Sequence, residues 1–267
     1  MRVTFLGTGS AMPLPDRVQT GLLLEPSVDG DSDGDGADGS GADGGEPDGR
    51  PLLVDCGAGV LHRLSQTDVG YEGVATVLLT HHHLDHVSDL LALLKARWLA
   101  GEEHLEVVGP PGTKSLVDDL LTAFDYLEGR VDLAVREVAA DEPFEVAGYS
   151  VEAHETRHSV PCLAYRFGDA FTFSGDSEAF EGLANFADGS RVLAHDCSFP
   201  DEVDVSNHPT PTQLGEALAG RDVDRLYLTH LYPHTEGKHR EMLDSVEAQF
   251  DGDVRIARDG LRFEIPE

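Results

Sequence analysis

Apolar residues along this chain fall into short runs rich in Val and Leu, separated by glycines and charged residues. Near the start, "RVTFLG" and "VQTGLLLE" read as strands, the first ending in the glycine turn "GTGS" (Gly7 to Ser10). "PLLVDCGAGVLHRL" reads as strand, turn and helix, and "VATVLLT" as a buried strand. A helical period then runs through "LDHVSDLLALLKARWLA", predicting one helix from Leu84 to Ala100. The strand "LEVVG" and a helix near "TKSLVDDLLTAF" follow. From Arg130 to Ser174 strands dominate: "VDLAVREV", "FEVAGYSVEAHET", "CLAYRFG" and "AFTFSGD". The last third alternates between strand "RVLAHD", helix "PTQLGEALAG", strand "DRLYLTH", a helix ending at Phe250, and a strand over "VRIARDGLRFEI". Blocks of strands interleaved with helices predict an α/β fold with two sheets between helices. Its 267 residues are read as one domain, 1–267.

One segment breaks this pattern. Residues 27–50 are acidic and glycine-rich with too few apolar residues to bury a core, which predicts a disordered hairpin loop. Asp31, Asp33, Asp35 and Gly36 imitate the opening of a calcium loop, but its twelfth position is Ala42 where a bidentate glutamate is needed. No apolar run reaches the length of a membrane span, so the chain reads as a cytoplasmic protein with no membrane contact. Cys56, Cys162 and Cys197 lie far apart, which excludes a disulfide framework or a thiolate zinc knuckle and leaves small buried hydrophobes.

Charge changes the picture further. There are 50 acidic and 19 basic residues, a formal net of −31, and only eight of the acids lie between Pro26 and Arg50. With 40% hydrophobic residues, this is not the composition of a disordered chain. It predicts a surface suited to concentrated salt, the interior of a halophilic organism, where the Debye length shrinks to ~3 Å at 1 M. In dilute buffer the same surface repels nucleic acid.

The chemistry concentrates in "THHHLDH", residues 80–86, placed where a buried strand ends and a helix begins. Residues two apart on an extended segment point the same way, so His81 and His83 can grip one ion. Asp85 and His86 follow where the chain turns and can face a second. Imidazole with carboxylate suits zinc or a neighbouring first-row metal. Four ligands do not fill two sites, and other strand ends offer Asp176, His230 and His158, with His154 on a strand nearby.

These motifs resemble the metallo-β-lactamase superfamily, and within it the ribonuclease Z group. The resemblance runs through "FLGTGSAMP", "LVDCGAG", "LLTHHHLDH", "HSVPCLAYRF", "FSGD", "LAHDCSF", "NHPTPTQ", "LTH" and "ARDGLRFEI". It implies a four-layer αββα sandwich. It also implies two Zn²⁺ ions, or other divalent first-row metals, with His81, His83 and His158 on one and Asp85, His86 and His230 on the other. Asp176 would bridge them, Asp55 would support the site without binding metal, and the ring of His82 would point away. His195 and Asp196 fall where ribonuclease Z carries a "HEAT" loop, and His208 where it carries "HST"; here these read "HDCS" and "HPT".

Two such ions would lower the pKa of a shared water, making hydroxide available for attack on a phosphodiester. Asp85 would orient it, His208 would protonate the leaving oxygen with Asp196 orienting His208, and Gly9 and Ser10 could offer backbone N–H groups to a phosphate. The reading is a phosphodiesterase for small or short phosphodiester or nucleic-acid substrates. Alternatives are a transfer-RNA 3′-processing ribonuclease Z or a thioesterase or lactonase. A non-catalytic scaffold would predict broken ligands, and all seven are intact. Ribonuclease Z enzymes that trim transfer RNA grip it with a long arm before the "SGD" motif, whereas only "CLAYRFGDAFTF" separates Pro161 from that motif here. Transfer-RNA binding is therefore not expected; a homodimer stays open.

Overall fold

The computed structural model describes residues 1–12, 14–26, 49–203 and 205–266. The predicted disordered loop and the calcium-like spacing fall almost wholly on 27–48, outside the described residues. Strands β1 (Arg2–Gly7), β2 (Gly21–Glu25), β3 (Leu52–Val54), β4 (Thr76–Leu78), β5 (His104–Gly109) and β6 (Asp132–Glu137) build one sheet. The second sheet holds β7 (Phe144–Val146), β8 (Tyr149–Glu155), β9 (Leu163–Phe167), β10 (Phe171–Phe173), β11 (Val192–Asp196), β12 (Arg225–Thr229) and β13 (Asp253–Ile256). The chain then returns to the first sheet with β14 (Arg262–Glu264), giving the orders β14-β1-β2-β3-β4-β5-β6 and β13-β12-β11-β10-β9-β8-β7.

Alternation along the strands divides the apolar side chains between three cores. Phe5, Leu22, Leu24, Leu52 and Val54 fill the space between the sheets, opposite Phe171, Ala194 and Tyr227. Leu6, Leu23 and Leu53 face outward, under helices α1 (Val60–Leu64), α2 (Leu84–Val87), α3 (Leu90–Ala100) and α4 (Thr113–Ala123). Leu193, Leu226 and Leu228 pack beneath α5 (Glu181–Ala187), α6 (Pro211–Leu218) and α7 (His239–Glu247). The result is the expected four-layer αββα sandwich. Among the described residues no helix is long and apolar enough to cross a membrane.

Three predicted elements divide, and the strand expected over "FEVAGYSVEAHET" is the simplest case, turning at Ala147–Gly148 into β7 and β8. The helix expected over Leu84–Ala100 breaks at Ser88 and Asp89, because the Asp89 carboxylate accepts hydrogen bonds from Gly59 N (2.8 Å) and Leu61 N (3.0 Å) at the start of α1. The strand expected over "VRIARDGLRFEI" is really β13 and β14, in different sheets. A turn at Arg258–Gly260 separates them. Its Asp259 carboxylate accepts from Thr8 N (3.0 Å), Thr8 Oγ1 (2.7 Å) and Val18 N (2.8 Å).

Each sheet is antiparallel on one side and parallel on the other, with β3–β6 and β10–β13 forming the parallel runs. Loops leaving the C-terminal ends of parallel strands are where open α/β sheets place ligands. Asp55 follows β3, the histidine cluster follows β4, Asp176 follows β10 and His230 follows β12. The two edges are knitted together, since Leu163 N donates to Thr80 O (3.0 Å) and Tyr165 Oη donates to Leu79 O (2.7 Å).

Candidate metal centre

All seven side chains expected to bind metal converge on this edge. His81 Nε2 and His158 Nε2 lie 3.1 and 3.0 Å from His83 Nδ1. In a tetrahedral site with Zn–N of about 2.0–2.1 Å, neighbouring ligand atoms stand only slightly farther apart. Asp85 Oδ2 lies 3.1 Å from His230 Nε2 and 3.9 Å from His86 Nε2. Asp176 reaches both groups: Oδ1 is 3.3 Å from His86 Nε2, while Oδ2 is 3.3 Å from His230 Nε2 and 3.6 Å from His81 Nε2. His86 Nε2 is buried and has no hydrogen-bond partner, which leaves this atom for a ligand that the protein itself does not supply.

The far ring nitrogens explain why these rings are aimed inward. A metal-binding histidine commonly donates its second N–H to an acceptor that fixes tautomer and orientation. Such partners are in place: Asp55 Oδ2 for His86 Nδ1 (2.7 Å), Thr80 Oγ1 for His81 Nδ1 (3.0 Å), Ser198 Oγ for His230 Nδ1 (2.9 Å) and Asn207 O for His158 Nδ1 (3.3 Å). Asp55 is fully buried and also accepts from Thr80 N and Thr80 Oγ1, both at 2.8 Å. Two of these residues adopt left-handed backbone, Asp55 and His230 at φ 58°. Such conformations cost of order 1–3 kcal/mol and persist where surrounding contacts hold them.

Electrostatics sort the rings into two sets. Burial lowers the pKa of His81, His83 and His158 despite the attraction of Asp176, so these rings are neutral donors. Burial also opposes charging of His86, but Asp176 and Asp55 outweigh it and raise the ring to about 10. His230 is raised likewise, against burial, by Asp176, Asp196 and Asp85. Burial would raise the carboxyl of Asp176, yet the surrounding histidines hold it well below the ordinary carboxylate range.

Beside this cluster, Asp196 Oδ2 bonds His208 Nδ1 at 2.7 Å, and Ser198 Oγ donates to Asp196 Oδ1 at 2.6 Å. Burial disfavours charge on both partners, but their attraction prevails: Asp196 falls to about 2 and His208 is raised. The His208 ring stacks on His230 with centroids 5.5 Å apart and lines a cavity with Glu178, Ser206 and Gln213. Its loop is pinned by Asn207 N to Glu178 Oε1 (3.0 Å) and by the Thr210–Gln213 capping box opening α6.

Other expected residues lie differently. His82 Nε2 turns away to Thr113 Oγ1 (2.8 Å). His195 is buried with Nδ1 on Asp196 O, outside the cluster. His154 stacks between Phe180 and Phe186. The Gly9 N–H is taken by Val18 O (2.9 Å), which removes it as a donor to a ligand, while Ser10 Oγ is buried without a partner. The three cysteines are buried and free. The sequence reading missed Ser198 and Asn207, although both lie inside quoted motifs, and Tyr232, which follows the "LTH" motif; none was given a role.

A family model described as "Beta-lactamase superfamily domain" matches residues 50–231. The chain belongs to this superfamily. It is a hydrolase of the metallo-β-lactamase type. A ribonuclease Z from Mycobacterium marinum is 28% identical over 296 aligned residues, covering 99% of each chain. YhfI, a metallo-β-lactamase fold protein of Bacillus subtilis, shares the fold with a TM-score of 0.77 at 23% identity, covering 98% of both chains. The short form of human tRNase Z matches with a TM-score of 0.73 at 21% identity, covering both chains completely.

Proposed function

We propose that the chain is a two-metal phosphodiesterase, folded as one domain, acting on small or short diester substrates. The observation that carries this reading is Asp176, whose two oxygens face the His81–His83–His158 group and the Asp85–His86–His230 group together. His81, His83 and His158 would hold one zinc ion, Asp85, His86 and His230 the other, with Asp176 shared. When bound, such a pair supplies Lewis acidity toward a phosphoryl oxygen and makes water a competent nucleophile near neutral pH. Asp85, beside His230, orients the attacking water through its free carboxylate oxygen. His208 holds a proton because Asp196 faces its Nδ1, and delivers it from Nε2 to the leaving alkoxide. Ser198 links this dyad to His230, so the acid and the second metal group share one hydrogen-bonded frame.

Transfer-RNA processing is the second reading, supported by the ribonuclease Z relative that spans nearly the whole chain. Against it stands the segment from Pro161 to Ser174, which is no more than the β9–β10 hairpin. Phosphate-backbone affinity comes mainly from Lys and Arg, and a net charge of −31 leaves little to supply it. The acid excess also supports a working environment of concentrated salt.

The test is metal analysis of the purified protein followed by a panel of chromogenic phosphodiester, thioester and lactone substrates, with a precursor transfer RNA assayed at the same salt. Two zinc equivalents with diester turnover are expected. Preference for a thioester or lactone refutes the substrate class. Efficient trimming of the precursor refutes the restriction to short diesters.

A further inference from the structure

Tyr232 stands in the wall of this site without an assigned role. The left-handed turn at His230 redirects the chain after β12, and Tyr232 N then donates to Ser198 O (3.2 Å), which fixes the backbone next to the Asp196–Ser198 segment. The ring stacks on Phe199 with centroids 4.5 Å apart and planes at 24°. It also packs steeply inclined against His230 (5.8 Å) and His208 (6.0 Å), so the phenol lies beside the stacked pair formed by a proposed ligand of the second metal group and the proposed acid.

Tyrosine hydroxyls near a protein interior usually find a partner. Tyr165 does so, with Leu79 O. Tyr232 is only half-buried, and among the described residues its hydroxyl makes no hydrogen bond. A phenolic hydroxyl is protonated at neutral pH, so it is free to donate.

Resting on the phosphodiesterase reading above, we infer that the Tyr232 hydroxyl donates a hydrogen bond to a non-bridging phosphoryl oxygen of the substrate as charge builds there in the transition state. Asp85, Asp176 and Asp196 accept but do not donate, and the inward nitrogens of His81, His83 and His158 face one another. Tyr232 and the proposed acid His208 bring hydrogen-bond donors up to the two ligand groups, and His208 acts on a different oxygen.

Tyr232→Phe tests this, because it removes the hydroxyl and keeps the ring against Phe199. Removing one transition-state donor lowers kcat on the order of 10²-fold. The expected result is a fall of that order on a diester with metal content and KM unchanged, together with weaker inhibition by orthovanadate, a transition-state mimic. Two diastereomers of a phosphorothioate diester provide the readout that a merely structural role would not move. Sulfur is a weak acceptor, so the penalty of the substitution should shrink for one diastereomer and persist for the other. A kcat unchanged by Tyr232→Phe, or an equal penalty on both diastereomers, overturns the role of Tyr232 while leaving the phosphodiesterase reading intact. If the native protein cleaves no phosphodiester, both fall together.

Discussion

Asp55 offers the sharpest test of how the metal groups are held. It is fully buried, and its carboxylate accepts from Thr80 N, Thr80 Oγ1 and His86 Nδ1 at 2.8, 2.8 and 2.7 Å. Asp55→Asn keeps the shape, and asparagine tolerates the left-handed φ of 58° about as well as aspartate does. What changes is one oxygen, which becomes an NH₂ group. With the NH₂ in the Oδ1 position it opposes Thr80 N–H; with the NH₂ in the Oδ2 position it opposes His86 Nδ1–H. Either way a buried donor loses its acceptor, a cost of about 1–3 kcal/mol. Loss of the partner that fixes the His86 ring should weaken metal binding by roughly 10–100-fold, or about 1.4–2.7 kcal/mol. Urea unfolding in chelator reads the first cost, and competition against a chromophoric chelator reads the second. In saturating zinc both should add, because metal stabilises the native state through its affinity. Native-like metal affinity in the substituted protein would refute the claim that Asp55 orients His86.

Other predictions follow from the same geometry. Asp176→Ala should reduce zinc from two equivalents to fewer than one, because the carboxylate faces both ligand groups; retention of two equivalents by elemental analysis would show that it does not bridge. His208→Ala should spare metal content yet slow cleavage of a diester with a poor leaving group by about 10²–10⁴-fold, with little effect on a nitrophenolate, which leaves without a proton. An equal loss on both would remove its assignment as the acid. Dialysis from molar salt into low millimolar buffer should destabilise the chain, since its net charge is −31; a loss of ~2 kcal/mol would lower the melting temperature by roughly 4–8 °C. An unchanged melting temperature and rate would argue against a salt-adapted surface.

The parts of this centre that were legible in the sequence are those where chemistry is dense and local. His81, His83, Asp85 and His86 lie within six consecutive positions, and the apolar run before them marks the strand end that presents them. Asp176, His158 and His230 were legible because each sits at a strand terminus and matches a family motif. Ser198, Asn207 and Tyr232 were not, since a serine, an asparagine carbonyl and a phenol acquire meaning only when folding brings them beside a histidine from another element. The break at Asp89 and the turn at Asp259 failed for a related reason. Hydrophobic period favours continuity there, whereas a carboxylate captured by distant backbone N–H groups interrupts it. The Gly9 turn carries the same lesson, because its N–H is claimed by Val18 O, a contact no local pattern announces.

The split between β13 and β14 bears on the order in which the protein is made. On the ribosome β1 emerges before its partner β14, which lies more than 250 residues later and is synthesised only after β13. Until then β1 has one unpaired flank, an edge open to association with other nascent chains. The Thr8 N–H and the Val18 N–H likewise wait for the Asp259 carboxylate. Every proposed metal ligand has been synthesised by His230, so the proposed set is complete while the edge is still open. Closure of that edge is therefore a late, long-range event in folding, of the kind that slows a chain.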